Sequence, residues 1–209
     1  MALSDQSIVT VEQAKNYLGI SAANSSKDTL LETWIDVVSR AFESAIDNVV
    51  QPATKTVYRD GDGSEFLFLP YYPIITVTTL QERDSPLGSW TDLLSDTSYL
   101  HIDTTYYDRL ELLEGYTFPE GQKNIKVVYA AGWSTIPGDI TKVILEQVSY
   151  MWKESGQGAD RLSLSGTSSS EAGGSSSYSF TDMSPRWNEV VRRYGKQQNV
   201  KVHVIEVFR

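Results

Sequence analysis

Two amphipathic helical stripes, separated by a long run of strand-type sequence, constrain this chain more than any other feature. Between Gly132 and Gly156 the sequence reads GWSTIPGDITKVILEQVSYMWKESG, and Ile140, Val143, Ile144, Gln147, Val148, Met151 and Trp152 recur at helical spacing. Pro137-Gly138-Asp139 is a start signal that predicts Asp139 at the N-cap. The other stripe runs from Asp28 through Leu30, Leu31, Trp34, Val37, Val38, Ala41, Phe42, Ala45, Ile46 and Val49 to Val50, and Gln51-Pro52 stops it. Each stripe needs an apolar partner. No other segment is comparable, so the two are expected to pack together, which makes the strand-type sequence an insertion.

The insertion is punctuated by turns. Strands are predicted over 54–59, 65–69, 74–82, 90–94, 99–103, 109–113 and 124–129, with Asp60-Gly-Asp-Gly-Ser64 as a hairpin turn between the first two. Upstream, Thr10-Val11-Glu12-Gln13 reads as a capping box for a short helix that ends near Gly19. Downstream, residues 156–177 are rich in Ser and Gly and too poor in apolar groups to offset their ordering entropy, which predicts a flexible loop. Ser184-Pro185 starts a last short helix to about Lys196. The alternation of Val200, Val202 and Val204 with Lys201 and His203 predicts a terminal strand. The fold class is α+β: a small helical bundle (1–53 plus 132–155), an inserted antiparallel β region (54–131), the Ser/Gly loop (156–177) and a C-terminal docking segment (178–209).

Composition narrows the function. The 209 residues contain no cysteine and only His101 and His203, which argues against disulfides, thiol chemistry and a histidine-rich metal site. There is no apolar run of about 18 residues and no signal-type N-terminus, so a soluble protein made in the cytoplasm, with no membrane contact, is expected. The formal charge of −9 opposes general nucleic-acid binding. Yet from Ser184 onward Arg186, Arg192, Arg193, Lys196, Lys201 and Arg209 face only Glu189 and Glu206, so an acidic body carries a basic tail suited to an acidic partner.

No catalytic, cofactor or metal residue stands out. Asp60 to Glu65 has the opening spacing of a calcium loop, but Tyr71 occupies the twelfth position where a Glu is needed, so a plain turn is the better reading. Gly61 and Gly63 have no Lys-Ser/Thr pair or following helix to make a phosphate loop. His101 and His203 lie near no nucleophile elbow, and no two carboxylates are set apart as an acid–base pair. Trp34 and Trp152 fall on helical stripes and read as core. Trp187 sits among Arg186, Arg192, Arg193 and Tyr194, a composition shared by interface anchors and by locally packed amphipathic helices. A rival reading takes Tyr71, Tyr72, Tyr106 and Tyr107 as the exposed aromatics of a β-sandwich module that recognises carbohydrate or protein.

The order of these pieces resembles the head-to-tail connector (adaptor, or head-completion) proteins of tailed bacteriophages. The resemblance is carried by VEQAKNYLGI (11–20), the Asp28-x-Leu30-Leu31 helix start, Tyr58-Arg-Asp-Gly61, LFLPYYPIITV (67–77), IKVVYAAG (125–132) and Pro137-Gly-Asp-Ile140, and it covers about residues 10–196. Residues 197–209 have no counterpart in it. It implies a structural virion protein forming a homo-oligomeric ring, usually twelvefold, beneath the portal protein. The opposite side of the ring would receive a tail, stopper or tail-completion protein, and DNA would pass through the lumen without specific binding. The C-terminal part would engage the portal, which makes Arg186, Trp187, Arg192, Arg193, Tyr194, Phe208 and Arg209 the candidate portal-docking residues.

Overall fold

Thr10 opens the first helix with a complete capping box. Its hydroxyl accepts from the Gln13 amide at 3.1 Å, and the Gln13 side chain accepts from the Thr10 amide at 2.8 Å. Helix α1 (Val11–Leu18) ends at Gly19, whose left-handed backbone (φ 69°) returns the chain toward α2 (Asp28–Ile46). A computed structural model describes residues 6–85, 88–93, 100–102, 108–155, 184 and 186–195. The chain divides into two units, one of residues 1–47 and 136–209 and the other of residues 48–135. The fold is α+β.

The first unit is helical. α2 buries Leu31, Ile35, Val38, Ser39, Phe42 and Ile46, and α3 (Gly138–Glu154) buries Ile140, Val143, Ile144, Gln147 and Val148. These stripes pack on each other, with Trp34 edge-on to Trp152 at 6.3 Å between ring centroids. Ile8 and Val9 are buried as well, and the Ile8 amide donates to Ser39 Oγ at 3.1 Å. Buried Lys15 reaches Asp28 at 2.5 Å and the Ala22 carbonyl at 3.3 Å, tying the α1–α2 connection together. A fourth helix, α4 (Trp187–Tyr194), packs against α2 and α3.

Several helix boundaries differ from expectation. α2 stops at Ile46 rather than Val50, because Asp47 takes a left-handed conformation (φ 51°) that Asp tolerates. Its buried stripe is also narrower: Val37 is 54% exposed and Ala45 faces outward. Pro137, not Asp139, occupies the N-cap of α3, and its extended backbone leaves Asp139 in the first turn. α4 starts at Trp187 with Arg186 before it, so the Ser184 hydroxyl caps nothing. Only the Ser184 carbonyl is used there, accepting from the Trp187 amide at 3.0 Å.

The second unit is an antiparallel β sandwich. Its strands are β1 (Ala53–Gly61), β2 (Phe66–Phe68), β3 (Ile74–Glu82), β4 (Thr91–Asp92), β5 (Leu100–Ile102), β6 (Arg109–Leu112) and β7 (Gly121–Ala131). They form sheets ordered β1-β7-β3-β4 and β2-β6-β5. β7 is central because Ile125, Val127, Tyr129 and Ala131 alternate inward, where they meet Leu67, Leu69, Leu110, Leu112 and Phe118. The Tyr129 hydroxyl accepts from the Tyr71 amide at 3.1 Å, and burial pushes the phenol up to about 12.

The expected hairpin at Asp60–Ser64 is a corner between the two sheets. β1 pairs with β7 and β2 with β6, so the strands on either side of the turn never pair with each other. Asp62 accepts from the Ser64 amide at 3.0 Å and hydroxyl at 2.6 Å, while Gly63 N donates to Phe118 O and Phe118 N to Ser64 O. These bonds direct the turn toward the Phe118 segment. Gly61 permits the crossing, since a Cβ there would lie 1.9 Å from the Pro119 carbonyl oxygen.

Candidate functional site

α4 carries most of the described docking candidates, and its local chemistry decides which of them are available. Eight residues are too few for a helix to persist alone in water, so α4 depends on its contacts. Trp187, 4% exposed, lies edge-on to Phe42 with centroids 5.4 Å apart, and Val190 is buried beside it. At the far end Asp139 receives two residues: Arg193 Nη1 at 2.8 Å on Oδ2 and the Tyr194 hydroxyl at 2.8 Å on Oδ1. Arg193 also reaches Glu189 at 3.1 Å and Arg186 reaches Glu146 at 3.5 Å. The Ser184 amide donates to buried Gln147 at 2.8 Å.

This clamp alters the electrostatics of its members. Tyr194 is pushed up to about 12, first by burial and then by the hydrogen bond to Asp139 and the charge of that carboxylate. Tyr17 on α1 is raised by burial and by the charge of Glu146, with Arg186 acting in the opposite direction. Asp139 also accepts from the Ile140 amide at 3.0 Å, so one carboxylate serves the first turn of α3 and the end of α4.

The structure therefore separates the candidates from the basic segment. Trp187 and Tyr194 are engaged inside their own unit. Arg186 and Arg193 are exposed and paired with carboxylates of the same unit. Arg192 is exposed, with its Nε on the Asn188 carbonyl at 3.3 Å. Phe208 and Arg209 lie outside the described residues, as do Lys196, His203 and the Ser/Gly segment. Sequence reading missed Asp139 and Gln147 as the receivers of α4; an Asp in the first turn of a helix signals a favourable dipole contact whether or not another element binds it.

The β unit holds a second arrangement that periodicity does not reveal. Tyr58, 50% exposed on β1, and Lys126 on β7 are cross-strand partners on the outer face of the four-stranded sheet. Trp90 lies with them, its ring 5.6 Å from Tyr58, 4.6 Å from the Arg83 guanidinium and 5.9 Å from Lys126 Nζ. Arg83 Nε donates to the Lys123 carbonyl at 3.2 Å, and an open cleft of about 370 Å³ beside it is lined by Glu82, Asp84, Glu120 and Asn124 among others.

Other expected sites take their places as structure. Among the described residues no group of His, Cys, Asp and Glu is arranged to hold a metal ion. In the Asp60–Glu65 turn Asp60 accepts from the Lys123 amide at 2.6 Å, and the Ser64 hydrogen bonds hold Asp62 below its ordinary value. His101 Nδ1 lies 3.2 Å from Glu111 on the surface of the smaller sheet. Of the aromatics in the recognition-module reading, Tyr72 is buried and Tyr71 is half-buried under Lys55, so neither is an exposed platform, and Tyr106 and Tyr107 lie outside the described residues. Among the described residues no helix is long and apolar enough to cross a membrane.

A family model described as head completion protein matches residues 7–179, so the match ends before α4. No curated protein is a significant sequence match. Among solved structures, the chain is similar to one from the virion of a native gene transfer agent particle, at 16% identity and a TM-score of 0.59, covering 93% of this chain and 92% of that one. It is similar at the same coverage to chains from two neck structures of such particles: an empty particle computed with sixfold symmetry (16%, TM-score 0.57) and a native one computed with twelvefold symmetry (15%, TM-score 0.57).

Proposed function

Because the chain belongs to the head completion protein family, we propose that it is a structural subunit of a virion neck that joins a DNA-filled head to a tail. Its copies form a ring, twelvefold in this reading, beneath the portal protein, and the ring accepts a tail, stopper or tail-completion protein on its other side. The single observation that carries the reading is the family match across residues 7–179. The likeness to chains from neck structures solved with sixfold and twelvefold symmetry supports it. The role is architectural: the subunit binds neighbours and catalyses nothing.

Charge supports passage of DNA through such a ring. A chain with 27 acidic and 18 basic residues repels phosphate on average, and a repelling lumen lets a duplex slide where a basic one would retain it. The basic C-terminal segment is the portal-facing part. Within it Trp187 and Tyr194 secure α4, which leaves Arg186, Arg192 and Arg193 on the outer surface and residues 196–209, with Phe208 and Arg209, as the docking face.

Native mass measurement together with portal co-purification tests this. The full chain is expected to give a ring that retains the portal, and a chain ending at Gly195 is expected to keep the ring and lose the portal. A full chain that stays monomeric in the presence of the portal would sink the reading. Equal portal retention by the truncated chain would move docking elsewhere. Sugar-dependent quenching of Trp fluorescence would favour the recognition module instead.

A further inference from the structure

The most conspicuous feature that a packed core and the α4 clamp leave without a role is the outer face of the sheet β1-β7-β3-β4. We propose that this face, centred on Tyr58, Trp90, Arg83 and Lys126, is the surface by which one copy of the chain grips the next. The inference rests on the ring reading and names its contact.

The inner side chains of these strands fill the sandwich. The outer ones, Thr54, Thr56 and Tyr58 on β1 with Thr76 on β3, are exposed, and no described element covers them. An antiparallel sheet can leave one face in water, but that face is then usually charged and polar, not crossed by a tryptophan. Trp90 reaches Tyr58 on the edge strand β1 from beside β4 on the opposite edge, and Arg83 and Lys126 lie against its ring. Tyr, Trp and Arg in one cluster are the residue types that dominate interface energetics. Because the rings already rest on one another, little rotamer freedom remains to be lost on binding.

Charge selects the partner. The only polar contact of Lys126 Nζ among the described residues is Gln81 Oε1 at 3.2 Å, so its charge is not matched by a carboxylate there. A second copy carries 27 acidic against 18 basic residues, so carboxylates are available on it to meet Lys126. Nucleic acid is the poorer match, because Glu82, Asp84 and Glu120 line the cleft with Arg83 and would repel a uniformly anionic backbone, whereas a protein surface can set one carboxylate against Lys126. A patch on one copy that meets a different surface on the next is the heterologous contact from which closed rings are built.

Tyr58→Ala and Lys126→Glu, made singly and together in the full-length chain, test the assignment by sedimentation and native mass across a concentration series. Circular dichroism and thermal melting check the fold. Tyr58 is half exposed and Lys126 lies outside the sandwich core, so the variants should melt close to the wild type while the ring dissociates at concentrations at least tenfold higher. Lys126→Glu should also remove part of the salt dependence of assembly. A folded double variant that forms rings of wild-type mass over the same concentrations overturns the assignment and leaves the ring reading intact. A wild-type chain that never assembles overturns both. Unchanged ring mass with altered DNA retention would give the face to nucleic acid instead.

Discussion

Asp139 shows how one carboxylate can add a tertiary role to a local one, since it also accepts from the Ile140 amide. It receives Arg193 and Tyr194, and the phenol it holds is raised from 10.0 to about 12. A raised folded-state value means that the linked stability is fully present below pH 10 and is lost as pH climbs toward 12. Unfolding by denaturant at pH 9 and pH 11.5 should therefore show an alkaline loss that Tyr194→Phe reduces. The change should be partial, because Tyr129 titrates in the same window. Ser184 offers a contrast: its buried hydroxyl has no partner among the described residues, so Ser184→Ala should be neutral or stabilising by about 0.5–1 kcal/mol in equilibrium unfolding. Trp187→Ala should cost about 3–5 kcal/mol, the range for truncating a buried aromatic, while Arg192→Ala should stay within about 0.5 kcal/mol.

Among elements, β1 is the exposed one. It is a nine-residue edge strand, a template for unwanted pairing, and it places Lys55 and Arg59 on the inward side of its alternation. Lys55 lies 5.0 Å from the Tyr71 ring centroid, a site an aliphatic residue would also fill. Lys55→Val with Arg59→Val should keep the sandwich and raise aggregation, measured by light scattering at fixed concentration. Elements were legible in the sequence where a single period governs them. The α3 stripe from Ile140 to Val148 is set by its own side chains and appears as read, whereas the strand Ile74–Glu82 keeps its expected bounds although two register shifts break its alternation. Pairing was less legible, because the Asp60–Ser64 turn has hairpin chemistry but Gly61 and the Phe118 segment send it to the other sheet. The receivers of α4, and the meeting of Tyr58 with Trp90, were hidden because each joins residues far apart in the chain, and no local pattern records such a contact.

At the scale of the molecule, two cores are built from one chain by interruption. The helical unit is closed by α4, which lies past the segment matched by the family, so a chain ending at Ser177 should keep the β sandwich and lose stability in the helical unit alone. Hydrogen exchange resolved by segment checks this: α2 and α3 should lose protection and β7 should not. The sandwich has its first and last strands side by side, with Ala53 opposite Ala131 and the Trp133 amide on the Val50 carbonyl at 3.0 Å. A module whose two ends emerge together, about 5 Å apart for paired strand residues, is a cassette. It can be exchanged whole between related frames by recombination at Asp47–Asn48 and Thr135–Ile136, so the proposed neighbour-contact face could be renewed in one genetic step without redrawing the helical unit.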